Sequence, residues 1–198
     1  MRIGLFGGTF DPIHVGHLIT AEQAREQADL SKVLFVPSGA PPHKERCGIS
    51  NARARLEMTK LAVAGNERFE VSEFEVRRDC TSFTVETVRH FKRTLGGGPE
   101  LFLIVGADSI LEISTWKEPE ALVSECTLVV VSRPGFDLGE LDARLRHRVI
   151  AVGGIQVDVS STQIRERVST GRSIRYMVPA AVAAYIAEHG LYSCSGSC

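Results

Sequence analysis

Residues 3–17 read Ile-Gly-Leu-Phe-Gly-Gly-Thr-Phe-Asp-Pro-Ile-His-Val-Gly-His, and their order decides the kind of fold. A short apolar run, Ile3–Phe6, stops at Gly7-Gly8, turns at Asp11-Pro12 and re-emerges with Gly16 between His14 and His17. Leu18 to Asp29 then carry an Ala-, Glu-, Gln- and Arg-rich helix pattern. Strand, glycine turn and helix are how an α/β sheet builds an anion cradle. Glycines let the backbone come close, and the helix start aims unpaired N–H groups at a phosphate. The stretch is neither common nucleotide motif: Gly4, Gly7 and Gly8 do not fit G-x-G-x-x-G, and no Gly-Lys-Ser/Thr follows. It points to nucleotide chemistry by another route.

Outward from this stretch, strand-type runs recur at Arg2–Phe6, Lys32–Pro37, Phe69–Val71, Glu100–Val105, Thr127–Ser132 and Arg148–Val152. Helix patterns fall between them, at Gly16–Asp29, Asn51–Ala64, Thr84–Thr94, after Asp108 and at Pro179–His189. Unbroken hydrophobicity, as in Leu101–Val105 and Leu128–Val131, marks strands buried on both faces. Alternating strands and helices imply right-handed crossovers and a covered parallel sheet. The expected fold is α/β: a single-domain, Rossmann-like three-layer α/β/α sandwich with a mainly parallel sheet, over residues 1–190. Residues 191–198 read as a disordered Ser/Gly/Cys tail. The Pro/Gly loop Ser38–Ile49 follows a strand, on the sheet edge where ligands of open α/β sheets bind.

Composition narrows the function. The 198 residues hold 23 basic against 24 acidic side chains, a formal charge of −1, so the chain lacks a polyanion-binding excess. No apolar run approaches the roughly 18 residues of a membrane span, and no charged-then-apolar leader opens the chain. A cytoplasmic location is expected, with small-molecule partners and neither nucleic acid nor membrane; oligomeric state is not legible. Five scattered cysteines, Cys47, Cys80, Cys126, Cys194 and Cys198, suit reduced thiols better than a disulfide framework.

His14 and His17, three apart at a helix start, share a face where the helix dipole is positive. Zinc binding and plain capping compete with phosphate binding. The surrounding Gly7, Gly8, Thr9 and Gly16 favour phosphate, and no third metal ligand is evident. A second cluster, Val159 to Arg167, places Ser161, Thr162 and Arg165 at another capped helix start, where hydroxyls and a guanidinium could converge on an anion. Pro41-Pro42-His43-Lys44 holds a lysine on a semi-rigid loop, and Gly106-Ala107-Asp108 leaves a buried strand at the ligand edge. Trp116, in a polar segment, suits a stacking surface for a flat ring.

With those residues in view, nearly the whole chain, about residues 1–190, resembles the bacterial nicotinate-nucleotide adenylyltransferases of the Rossmann-like nucleotidyltransferase superfamily. Gly7–His17 resembles the family signature, with the H-x-G-H core at His14 to His17. Pro41–Lys44 is similar to the mobile substrate loop and Ser82–Thr87 to the segment that contacts the nicotinate ring. Gly106–Asp108 with Trp116-Lys117, Ser132–Gly135, Ser160–Arg165 and Tyr176–Pro179 resemble further family blocks. Departures are mild: Glu86, Val88 and Val159 stand where Asp, Leu and Ile are usual.

The resemblance implies adenylyl transfer from ATP to nicotinate mononucleotide, giving nicotinate adenine dinucleotide and pyrophosphate, with Mg²⁺ accompanying ATP and no dedicated protein metal site. It implies ATP phosphates at His14 and His17 with backbone groups of Gly8, Thr9 and Phe10, and the leaving pyrophosphate at Ser161, Thr162 and Arg165. Lys44 would reach the reacting phosphates. Gly106, Asp108 and Arg133 would border the adenosine, and Thr84 and Trp116 the pyridine ring. Other acceptors (nicotinamide mononucleotide, phosphopantetheine) and a non-catalytic nucleotide-binding module remain the rival readings.

Overall fold

The computed structural model describes residues 1–39, 49–78, 81–96, 98–131 and 147–193. Strands β1 (Arg2–Gly8), β2 (Lys32–Pro37), β3 (Phe69–Val71), β4 (Glu100–Gly106), β5 (Thr127–Val131) and β6 (Val149–Val152) make one sheet in the order β3-β2-β1-β4-β5-β6. All five pairings are parallel. The chain winds outward from β1 to β3, then returns to the other side of β1 to lay down β4. The order therefore reverses between β1 and β4, and the crevice beyond their carboxyl ends is where such sheets bind ligands.

Side-chain alternation along the strands feeds two separate cores. Leu101, Leu103 and Val105 of β4 join Val85, Val88 and Phe91 of α3 (Thr84–Thr94), Ile110 of α4 (Ala107–Leu111) and Leu122 of α5 (Pro119–Glu125). Phe102 and Ile104 face the other way. They join Ala21 and Ala24 of α1 (Val15–Gln27), Met58 of α2 (Ala52–Val63), Ile164 of α6 (Ser161–Ser169) and Val182 and Ile186 of α7 (Ala180–Glu188). This is the expected three-layer sandwich, with every expected strand and helix present. The sequence reading missed the short α5, which opens on Pro119, and the 3₁₀ turn Ile113–Thr115. One or two turns of helix give too few residues for a visible period.

Leu191 and Tyr192, which the composition places in the tail, pack against the core; residues 194–198 lie outside the described residues. Among the described residues, no helix is long and apolar enough to cross a membrane. Cys126 is buried and free, its thiol pushed up to about 12 by burial, so it has little thiolate character. The other four cysteines lie outside the described residues.

Candidate active site

The backbone from Gly8 to His14 is held almost carbonyl by carbonyl. Ser38 N–H donates to the Gly8 carbonyl (2.9 Å). Arg55 Nη1 donates to Thr9 (2.7 Å), Arg165 Nη1 to Asp11 (2.7 Å) and Ser161 Oγ to Pro12 (2.9 Å). A peptide group is planar, and in the trans form its N–H points opposite its C=O. The held carbonyls of Gly8, Thr9 and Pro12 therefore aim the next residue's N–H the other way, which orients the amides of Thr9, Phe10 and Ile13. Phe10 sits at φ 49°, a left-handed state that persists in a non-glycine residue only when its surroundings impose it. Its ring is buried and lies over Gly8, where an added Cβ would meet it at 2.7 Å. The expected role of Phe10 in a cradle is thus open to its backbone alone.

His14 caps α1, and its imidazole stacks on that of His17 with ring centres 3.7 Å apart. Gly16 makes room for this: a Cβ there would lie 3.0 Å from His14 Nδ1. His17 meets the Phe10 ring edge-on at 5.1 Å. Burial depresses both histidines, His14 to about 4 and His17 to about 3, with His14 adding repulsion at His17. Both are neutral at pH 7. The His14 backbone N–H donates to His17 Nδ1 (3.2 Å), which puts the single proton of neutral His17 on Nε2. His17 therefore offers an N–H donor rather than a lone pair. His14 Nδ1 is buried without a hydrogen-bond partner.

A second helix start is docked on the same turn. Ser160 closes α6 with a capping box, its Oγ accepting from Gln163 N–H (3.2 Å) while Gln163 Oε1 accepts from Ser160 N–H (2.9 Å). Arg165 Nη2 donates to Thr162 Oγ1 (3.2 Å), the i, i+3 pairing that the spacing implied. Neither α1 nor α6 carries an acidic residue in its first turn, so both N-termini keep their positive field.

His14, Gly16, His17, Gly106 and Asp108 line one open cleft of about 190 Å³ across the β1–β4 switch. Its far wall is Ile155, Gln156, Val157 and Val159, of which only Val159 was read in the sequence. The signal was the apolar alternation 155, 157, 159 outside any strand; Ile155 is 70% exposed among the described residues. Helix α1 also fastens this wall, with Gln23 donating to the Ile155 carbonyl (2.9 Å) and Gln27 to that of Gly153 (2.5 Å). Asp108 lies inside α4, whose cap is Gly106.

Thr84 and Trp116 lie apart from that cleft, toward the other core. Thr84 opens α3, and Trp116 is partly buried against the same cluster. Lys117 joins the two segments, bonding Glu86 (2.7 Å) with its ammonium 4.4 Å from the Phe83 ring centre. Arg78 adds a second bond to Glu86 (3.1 Å), and these cations, Lys117 first, hold the Glu86 carboxyl low. Lys44 and Arg133 lie outside the described residues.

Arg55, Asp11 and Tyr192 were not foreseen as a unit. Arg55 is 1% exposed and also donates to the carbonyls of Ser50 (3.1 Å) and Gly39 (2.9 Å). Burial pulls its guanidinium below the ordinary value, against the nearby Asp11, Tyr192 and Glu75. Asp11 accepts from Tyr192 Oη (2.6 Å) and from Ser50 N–H (3.2 Å). The signal for Arg55 was an arginine three and four residues before Met58 and Thr59, on the core face of α2.

Comparison with known proteins gives the family and the fold. Residues 5–167 match the cytidylyltransferase-like family. A probable nicotinate-nucleotide adenylyltransferase of Thermus thermophilus is 50% identical over 192 residues, covering 97% of this chain and 100% of its own. One of Moorella thermoacetica is 47% identical, covering 96% of this chain and 91% of its own. Among solved structures, Plasmodium falciparum nicotinic acid mononucleotide adenylyltransferase complexed with NaAD superposes at a TM-score of 0.79 and 18% identity. That match covers 96% of this chain and 97% of the other, and shows the shared fold. By the extent and identity of these matches, the chain belongs to the nicotinate-nucleotide adenylyltransferases, within the cytidylyltransferase-like family.

Proposed function

We infer that the chain transfers the adenylyl group of ATP to nicotinate mononucleotide, forming nicotinate adenine dinucleotide and pyrophosphate in NAD biosynthesis. A mononucleotide phosphate oxygen forms a bond to the α-phosphorus as the bond to the bridging β-oxygen breaks. Such a transfer needs alignment and charge stabilisation, not a protein nucleophile. One observation carries the reading: two acid-free helix starts, tied together through the Asp11 and Pro12 carbonyls, flank a histidine pair held neutral with a proton on His17 Nε2.

In this reading His17 donates to the α-phosphate and His14 stands beside it. The amides of Gly8, Thr9 and Phe10 complete the cradle. Arg165, Ser161 and Thr162 take the β- and γ-phosphates. The Ser161 hydroxyl is already spent on Pro12, so its share is the backbone N–H and the docking of α6. Gly106 and Asp108 border the adenosine with the Ile155–Val159 wall, and Arg133 joins them. Lys44 reaches the reacting phosphates, while Thr84 and Trp116 hold the pyridine ring. Among the described residues, no three His, Cys, Asp or Glu side chains gather to hold a metal. In this reading Mg²⁺ would arrive bound to ATP, where it would neutralise phosphate charge. The substrates and the unpaired Cys126 suit the cytoplasm.

The test is pyrophosphate release with ATP and Mg²⁺, offering nicotinate and nicotinamide mononucleotide in parallel. A kcat/KM preference of about 10²-fold or more for the acid is expected, since a site built to read a polar group rejects its analogue strongly. Equal rates would remove the acid preference, and no release with either would overturn the reading.

A further inference from the structure

We propose that Arg55 is a positioning residue for adenylyl transfer: from beneath the phosphate turn it holds the Thr9 carbonyl and so aims the Phe10 N–H into the cradle, without touching substrate. The proposal rests on the adenylyl-transfer reading above and adds to it a residue outside the lined cleft. Three observations carry it. The Arg55 side chain is fully buried on the core face of α2, yet none of its five N–H donors is used in a helix or strand. Three of its nitrogens reach three separate main-chain carbonyls, Thr9 at 2.7 Å, Gly39 at 2.9 Å and Ser50 at 3.1 Å. The planar guanidinium fixes the angles between those bonds, so the Thr9 peptide plane is set by a helix rather than by its own loop.

The direction of the Phe10 N–H follows from that plane. The Thr9 carbonyl points down to Arg55, and the trans Thr9–Phe10 peptide sends the Phe10 N–H to the opposite side. Phe10 itself is at φ 49°, a state its own chemistry disfavours, so something outside the residue must impose it. Burying a guanidinium is costly unless its donors are met, and one apolar residue would fill the same space with less penalty. An arginine here is explained by what it holds. Lysine carries three rotatable donors on one nitrogen at the end of a flexible stem, and cannot hold three separated carbonyls at fixed angles.

The test compares wild type, Arg55→Lys and Arg55→Gln with Leu122→Ala, a fully buried control in the opposite core layer. Two readouts are taken: kcat with KM for each substrate, and amide exchange of residues 8–13 with and without ATP. Arg55→Lys is expected to lose about 10- to 100-fold in kcat, the scale of a small misplacement of reacting groups, while each KM stays within about threefold. ATP should slow exchange at Phe10 in wild type but not in the Arg55 variants, with protection at the start of α6 retained in all. Leu122→Ala should melt earlier yet keep kcat within about twofold and keep the Phe10 protection.

A folded Arg55→Lys or Arg55→Gln with kcat within about twofold of wild type, or with Phe10 still protected by ATP, overturns the proposal. Failure of both variants to fold overturns it too, because Arg55 is then a requirement of folding. A wild type that releases no pyrophosphate with any mononucleotide defeats the functional reading instead, and the ATP protection at Phe10 still decides the role of Arg55.

Discussion

On the His14–His17 side of the β1–β4 crevice, polar groups are withdrawn from solvent and held from several directions; on the Thr84–Trp116 side, they stand near the surface and hold one another. The turn of the first region is braced by Arg55, Arg165, Ser161 and Ser38, and its histidines are stripped of charge by burial. The second region is joined by Lys117, Glu86 and Arg78, whose side chains are 41%, 29% and 29% exposed. Rigid, dry donors act most on charge that develops in a transition state. An adaptable, wetter shelf binds ground and transition states alike. The first region should govern kcat and the second the acceptor KM.

The largest break in this contrast should come from His17→Ala. Loss of one preorganised donor lowers kcat by about 10² to 10³ in steady-state assays, and a variant within about threefold of wild type would remove His17 from the chemistry. Arg165→Ala should lower kcat and weaken ATP use together, by about 10- to 100-fold in kcat/KM for ATP, because it removes a charged donor and the bond to the Asp11 carbonyl. A change confined to the mononucleotide KM would move Arg165 to the acceptor.

The neutral histidines also make stability depend on pH. Their folded values lie below the ordinary 6.5, so the unfolded chain binds more protons as pH falls. The stability they contribute is full above about 6.5 and drains away as pH falls, down to about 4 for His14 and about 3 for His17, His14 alone accounting for about 3 kcal/mol at pH 4. Urea titrations at pH 7 and pH 4.5 should show the fall, and His14→Gln should flatten it. A profile flat across that window would mean the imidazoles are not held neutral.

Trp116→Ala should raise the mononucleotide KM about tenfold, the scale of one lost aromatic stacking contact, with kcat little altered. Lys117→Met should do the same by about threefold or less, since a surface pair contributes on the order of 1 kcal/mol at most.

The sandwich is legible in the sequence because its central strands are short, unbroken apolar runs; β2, β3 and α3 lie at the residues read from pattern alone. His14, His17 and Arg165 are legible too, because their spacing around two helix starts is local. What stayed hidden is non-local. Arg55 and Tyr192 act on Thr9 and Asp11 across 46 and 181 positions, and no local pattern encodes such pairs. The wall beginning at Ile155 was hidden differently: its alternation imitates a strand, while Ile155 and Val157 are left to solvent and only Val159 packs against the core. The positive φ of Phe10 and the burial of its ring could not be read from the sequence either, since both depend on what packs around the turn.

The most direct test of the contrast is a pair of kcat values at saturating ATP and saturating nicotinate mononucleotide, for His17→Ala and for Trp116→Ala. The account predicts a loss of about 10² or more for the histidine variant and a kcat within about threefold of wild type for the tryptophan variant. Equal losses in the two would contradict it, because chemistry and acceptor binding would then not be divided between the two regions.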